Sequence, residues 1–196
     1  SCTLNAGEPG LAGWIVRAEG VNDTLYGVTN DQGQYLVGVP VGTYAMKVFV
    51  PNGLWTICPG AGLATVNMAG DTVSGGDFPV QSTYICPALT VSIGTNQLRR
   101  CFLDNSYQVE YCNQGTQKAD DGFVTVVLDQ YLVVVSVSVP YTDLGANAIK
   151  VDVGDLEIGE CGMFSIQVFV SCSAQLGQTH CTQASIYPDT LCVPTN

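Results

Sequence analysis

Basic residues are scarce in this chain of 196 residues. Six Lys and Arg stand against 17 Asp and Glu, which gives a formal net charge of -11 at pH 7. A surface of this sign repels the phosphates of nucleic acids and of anionic membranes, so we expect neither nucleic-acid binding nor membrane insertion. The most apolar stretch, residues 131–140, is too short for a membrane-spanning helix.

Patterns that carry metal or catalytic chemistry are also sparse. The nine cysteines include no C-x-x-C pair, and His180 is the only histidine, which fits a zinc site poorly. No G-x-S-x-G sequence accompanies His180. Carboxylates such as Glu157 and Glu160 fall in turns, where such residues are usually solvated. The sequence therefore predicts a protein that is not an enzyme and has no cofactor.

Short apolar runs separated by turn residues are abundant instead. The chain contains 22 Gly, and the runs recur about every ten residues, with Gly, Pro, Asn or Asp on either side. Period-two alternation within the runs predicts antiparallel β-sandwiches. The length allows one large domain or two of about 100 residues, and the run "QSTYICPA" at 81–88 indicates a boundary between two domains, 1–82 and 83–196. In the first domain the predicted strands are 10–20, 24–30, 33–39, 42–50, 62–68 and 71–80.

Residues 29–48, "TNDQGQYLVGVPVGTYAMKV", combine a turn at Asp31 and Gly33 with a second turn at Pro40 and Gly42. This run resembles the prealbumin-like SdrB/Cna-B modules of bacterial surface proteins, as do "NAGEPGLAGWIV" and "GDTVSGGDFPV". The resemblance implies a prealbumin-type sandwich. In that family a further strand precedes the "GEPGL" turn. We expect that strand to come from a longer protein or from a neighbouring chain by strand addition.

The same resemblance suggests a metal site at the opening loop. Family members often carry an acidic metal-binding segment there, and Asn5 and Glu8 match the end of it. No D-x-D-x-D-G sequence is present, so structural calcium at Asn5 and Glu8 is a secondary expectation.

The second domain carries looser motifs. "NSYQVEYCNQGTQKADDGFVTVVLD" and "VDVGDLEIGECGMFSIQVFV" resemble the DUF11-like and CARDB-like immunoglobulin-like modules of bacterial surface proteins. That resemblance implies a spacer, stalk or adhesin part. The predicted strands, A to G, are 88–94, 106–113, 122–129, 131–138, 147–153, 163–172 and 181–187.

Nine cysteines without metal spacing indicate disulfides, and hence an oxidising, extracellular location. Seven strands that alternate in direction would collect cysteines at two poles of the second domain. The alternative there is a bridge from Cys112 to Cys172, which joins strands B and F as in antibody domains. The preferred pairs are Cys2–Cys58, Cys101–Cys161, Cys172–Cys181 and Cys86–Cys112, with Cys192 left unpaired or bonded to another chain.

Four residues are candidate glycosylation sites. Asn22 begins an N-x-T acceptor pattern. Thr24, Thr72 and Thr190 each follow Asp and precede an apolar residue, which resembles the O-glycosylation motif of secreted proteins in some bacteria.

These features together predict an all-β extracellular structural protein. We expect a repeat unit of a bacterial surface fibre, stalk or adhesin, with partners that are copies of itself or adjacent repeats joined by strand complementation. The alternatives are a module that binds a glycan, protein or other surface ligand, and an accessory domain of a larger secreted protein.

Overall fold

The structure is a computed structural model that describes residues 2, 8–60, 62–175, 177 and 179–194. All elements assigned in these ranges are β-strands, and they pair antiparallel in every sheet, which confirms the predicted all-β class. Across the same ranges, no helix has the length and apolar character needed to cross a membrane.

The chain divides into two units. Unit 1 extends to Ile85 and includes the C-terminal residues from Cys192 onward, whereas unit 2 comprises Cys86–Leu191. The C-terminal residues thus return to the first unit, although the sequence placed them in a second domain of residues 83–196. Their return is made by a short ladder between Tyr84–Ile85 and Val193–Pro194.

Unit 1 is built on one four-stranded sheet with the order β2-β1-β3-β5. Side chains alternate between its two faces, as the period-two pattern predicted, and the inner face carries the core residues Trp14, Val16, Ala18, Tyr44, Met46, Val48 and Ala64. The strands of unit 1 are β1 (Ile15–Glu19), β2 (Thr24–Val28), β3 (Gly42–Phe49), β4 (Trp55–Ile57), β5 (Gly62–Val66), β6 (Val80–Ser82), β7 (Tyr84–Ile85) and the returning β16 (Val193–Pro194).

The second layer of unit 1 is less regular. It contains the two-stranded ladder of β4 and β6 and, packed on the same core, the side chains of Tyr35, Val37 and Val39. Two predicted strands, 33–39 and most of 71–80, are not assigned as strands. Burial still alternates along residues 33–39. This segment therefore has the side-chain pattern of a strand but lacks the ladder of hydrogen bonds.

Unit 2 encloses its core between two four-stranded sheets, with the orders β11-β14-β9-β8 and β12-β13-β10-β15. Fully buried residues include Val109, Val124, Leu132 and Ile166, which come from both sheets. The strands are β8 (Leu89–Thr95), β9 (Asn105–Asn113), β10 (Ala119–Val127), β11 (Leu132–Val137), β12 (Thr142–Gly145), β13 (Ala148–Leu156), β14 (Cys161–Val170) and β15 (Gln183–Tyr187).

Strand β12 is an addition to the seven strands that the sequence predicted for this domain. It is short, all four of its residues are exposed, and it pairs with β13. Because it has no buried alternating face, the hydrophobic pattern carries no signal for it. It adds one reversal of chain direction between β11 and β13.

Candidate functional site

Cysteine pairing in unit 1 joins Cys2 to Cys58, with their Cα atoms 5.5 Å apart. Cys58 is buried, and its backbone N–H donates to the carbonyl of Pro79 at 3.0 Å. The bond closes a segment of 56 residues and so restricts the unfolded chain of this unit.

Cysteine pairing in unit 2 differs from both schemes that the sequence allowed. Cys112 is bonded to Cys161, which lies directly opposite it on the neighbouring strand, with a Cα separation of 4.0 Å. Cys101 is bonded to Cys172, with a Cα separation of 4.6 Å. The predicted Cys101–Cys161, Cys86–Cys112 and Cys172–Cys181 bridges are therefore wrong, as is the alternative from Cys112 to Cys172.

The error follows from β12. Seven alternating strands would make the second and sixth of them parallel, and would put Cys101 at the same pole as Cys161. With β12 inserted, β14 runs antiparallel to β9, which brings Cys161 to Cys112 at one pole and Cys172 to Cys101 at the other. One unforeseen reversal thus exchanged the partners.

The unpaired cysteine is also different from the predicted one. Cys192 is disulfide-bonded, and so is Cys86, whereas Cys181 has a free and exposed thiol. Cys192 is therefore not the leftover cysteine that an odd count requires. Cys181 lies just before β15. The sequence analysis paired it with Cys172, but Cys172 is bonded to Cys101.

His180 contacts a carboxylate instead of a nucleophile. Its Nδ1 lies 3.0 Å from Oδ1 of Asp129, and its ring meets the edge of Tyr131 at 5.7 Å between centroids. The same Oδ1 accepts a hydrogen bond from the backbone N–H of Tyr131 at 2.9 Å. That bond, together with His180, lowers the pKa of Asp129. The arrangement joins the loop after β10 to the chain before β15.

Acidic residues of β10, of β13 and of the turn after β13 form ion pairs and local hydrogen bonds. The ammonium of Lys118 lies 2.6 Å from Asp155 and 3.1 Å from Asp120, and these carboxylates raise the pKa of Lys118. The Glu160 carboxylate accepts from the N–H of Glu157 at 2.8 Å. Each of these carboxylates therefore has a partner in the local structure.

The proposed calcium ligands and glycosylation sites fall on the surface or outside the described part of the chain. Asn5 lies outside the described residues, and Glu8 is exposed. Within the described ranges, no group of three His, Cys, Asp or Glu could hold a metal. The candidate acceptors are all exposed, and their glycosylation stays a prediction: Asn22, Thr24, Thr72 and Thr190.

The segment Tyr35–Val39 has the alternating burial of a strand but is not assigned as one. It is extended, with Leu36 79% exposed and Tyr35, Val37 and Val39 turned toward the core. Across the described residues, none of its backbone N–H or C=O groups is hydrogen-bonded. Such a segment has the side-chain pattern of a strand and a free edge to pair with.

Two anchors hold this segment in place. The Asn30 side chain accepts from the N–H groups of Gln32 and Gln34 at 3.0 and 2.9 Å, which forms the turn before the segment. The Tyr35 hydroxyl donates to the carbonyl of Gly76 at 2.9 Å, and burial raises the pKa of Tyr35. The chain then passes so close to β2 that a Cβ on Gly27 would lie 2.6 Å from the carbonyl oxygen of Leu36.

An aromatic stack on unit 2 was not foreseen. Phe123 of β10 and Tyr187 of β15 stack with centroids 4.9 Å apart, and the Lys150 ammonium lies 4.4 Å from the Phe123 centroid. Register explains the contact, because Phe123 is directly opposite Tyr187 in the ladder. The sequence marked both residues as strand residues but gave no sign of which strands are neighbours.

No protein-family model matches this chain, and no curated protein sequence matches it. Among solved structures, the T6 backbone pilin of serotype M6 Streptococcus pyogenes is similar, with 10% sequence identity and a TM-score of 0.32. That pilin is described as having a modular three-domain structure decorated with variable loops and extensions. The match covers 94% of this chain and 58% of the pilin chain, so this chain spans less than two thirds of its length.

Proposed function

We propose that this chain is an extracellular structural protein, a module of a bacterial surface fibre, stalk or adhesin. The observation that carries the proposal is the covalent reinforcement of two β units, in which eight of the nine cysteines are disulfide-bonded. Disulfides persist in oxidising compartments outside the cytosol. Unit 2 already has a large apolar core, so its additional bonds favour durability as their role.

The partners that we propose are copies of the same chain, joined by addition of a strand to an open sheet edge. The support for this is the segment Tyr35–Val39, which has the alternation of a strand and no ladder partner among the described residues. Strand addition takes its affinity from backbone hydrogen bonds and its specificity from the alternate side chains.

Electron microscopy of the purified chain tests the fibre role. The protein is imaged over a range of concentrations, with and without a reductant that opens the disulfides. Regular filaments with an axial repeat of one or two sandwiches are the expected result, and they should be lost on reduction. Dispersed single particles at every concentration would contradict a fibre built from copies of this chain.

The second candidate, a ligand-binding module, is favoured by the Phe123–Tyr187 stack. Tyr187 exposes one ring of the stack to solvent, and Phe123 beneath it is half-buried. The Lys150 ammonium, ion-paired with Asp152 at 2.6 Å, places polar groups next to these rings, as a sugar site would need. A glycan array tests it, with Tyr187→Ala compared with Tyr84→Ala, since both tyrosines are similarly exposed. Binding that is lost only in Tyr187→Ala would favour this role, and absence of binding in the parent chain would reject it.

A further inference from the structure

The free edge of Tyr35–Val39 lacks the charged side chains that commonly keep an exposed edge from pairing. Charged side chains, bulges and short length usually protect such edges. Here no charged residue occurs between Asp31 and Lys47, in a chain that carries 17 acidic residues. Leu36 is 79% exposed on the solvent side of this segment.

Edges of unit 2 show what protection looks like in the same chain. Strand β11 has a bulge between Val134 and Ser136, and β12 has one between Asp143 and Gly145. Strand β12 also carries the charge of Asp143. The other two edge strands, β8 and β15, lie close to one another. Unlike β12, Tyr35–Val39 carries no charged side chain, and it has no ladder partner among the described residues.

We propose that Tyr35–Val39 pairs antiparallel with the same segment of a second copy, centred on Val37. This inference rests on the proposed function, in which copies of the chain associate, and it assigns the surface where they meet. The segment is uncharged, so two copies can approach here without the like-charge repulsion that a net charge of -11 produces elsewhere.

Side-chain sizes fit this register. In an antiparallel pair centred on Val37, Leu36 of one copy lies opposite Gly38 of the other, on the solvent face of both. A Cβ built on Gly38 would meet no atom within 4 Å, so space for the opposing leucine is present. Tyr35, Val37 and Val39 stay turned toward the core of their own copy. The backbone groups that are now unpaired gain partners, and both Leu36 side chains lose exposure.

Such a contact is isologous and closes as a pair. It therefore supplies a pairwise joint, and head-to-tail growth of a fibre needs a second contact elsewhere. A pairing of five residues buries little area, so we expect weak association, with dissociation constants of roughly 0.1 to 1 mM.

Analytical ultracentrifugation of the full chain tests the proposal. The parent protein should rise with concentration from 20.7 kDa toward twice that mass. The variant Leu36→Lys with Gly38→Lys should stay at the monomer mass, because lysines then face each other across the pair. Both positions are on the solvent side, so folding should be unaffected.

The matched control is Val21→Lys with Leu63→Lys. These residues are 96% and 73% exposed in the same unit, and the change in net charge is identical. The control should associate like the parent. Because both variants lower the net negative charge equally, a loss confined to the Leu36 and Gly38 variant reports the edge. Equal association of all three proteins, or a parent that stays monomeric to 1 mM, would overturn the proposal.

Cross-linking tests the register in a Cys181→Ser background. Chains with Leu36→Cys mixed with chains carrying Gly38→Cys should form a disulfide-linked pair, and Leu36→Cys alone should not, since its own symmetry mate lies beyond disulfide reach. Equal cross-linking of Leu36→Cys alone would overturn the register. If the parent and the Leu36 and Gly38 variant form filaments equally well, pairing through Tyr35–Val39 is overturned and the proposed fibre role still holds. If the parent forms dimers that the variant does not form, but neither protein forms filaments, the pairing holds and the fibre role is overturned.

Discussion

The two units of this chain complete a β-sandwich to different degrees. Among the described residues, unit 2 encloses a core cluster of thirteen buried residues between two four-stranded sheets. Unit 1 has seven such residues on a single four-stranded sheet, and its second layer consists of short ladders and the unpaired segment Tyr35–Val39. A sandwich can therefore keep its side-chain pattern where the backbone ladder is unfinished.

This difference has an energetic consequence. Unit 2 is stabilised by burial between two four-stranded sheets. The second layer of unit 1 depends on side chains such as Trp55, which packs on Trp14 with ring centroids 5.6 Å apart. Regions with fewer buried apolar groups and more solvated backbone open at lower free energy. We expect unit 1 to unfold before unit 2.

Cavity-creating substitutions should produce the largest effects and should separate the units. Ile166→Ala removes a fully buried side chain from unit 2 and should lower its free energy of unfolding by about 2–5 kcal/mol. Met46→Ala is the matched change in unit 1. In scanning calorimetry each variant should shift only the transition of its own unit. A single transition that both variants shift equally would contradict independent units.

A buried asparagine should give the next largest effect. The Asn113 amide donates to the carbonyls of Gln117 and Leu156 at 2.9 and 3.0 Å and accepts from the N–H of Gly115 at 3.0 Å. Asn113→Ala leaves these groups without their partner, and should destabilise unit 2 by about 3 kcal/mol. The exposed Asn96→Ala is the control. Denaturant unfolding measures both, and a similar small loss in the two variants would contradict the role of this amide.

The sequence predicted the strands with buried alternating faces well and failed where that pattern is absent. All seven predicted strands of the second domain overlap observed strands, because each contributes apolar residues to the core. The exposed β12 had no such signal, and missing it reversed the direction expected for β14 and exchanged the partners of Cys112 and Cys101.

Prediction of the candidate site was limited in the same way, because a local pattern does not show which strands are neighbours. The alternation of residues 33–39 predicted a strand, and the structure shows the alternating burial but no strand there. Whether a strand has a neighbour depends on the rest of the layer and is not encoded in its own pattern. The contact of Phe123 with Tyr187 likewise requires the order of strands in the sheet. Local periodicity therefore gave the elements, and the pairings had to come from the structure.

Acid should weaken unit 2 through Asp129. The N–H of Tyr131 and the side chain of His180 hold the pKa of Asp129 below its ordinary value of 3.8. A carboxylate with a lowered pKa contributes stability above its unfolded pKa and loses that contribution as the pH falls through its folded pKa. The transition of unit 2 should therefore weaken below about pH 4 by roughly 1 kcal/mol more in the parent than in Asp129→Asn. Identical pH dependence of the two proteins would contradict this assignment.

Substitution of Cys181 should change stability least, and its effect is best measured by titration of the free thiol. Its thiol is exposed and free, and the other eight cysteines are disulfide-bonded. A thiol reagent should therefore titrate one group per native chain, and none in Cys181→Ser, while the free energy of unfolding changes by less than about 0.5 kcal/mol. Cys192→Ser should instead lose a bond and expose a second reactive thiol. If Cys192→Ser lowered the thiol count to zero, the pairing of the cysteines in both units would have to be reassigned, because the odd cysteine would then lie at the C-terminal strand.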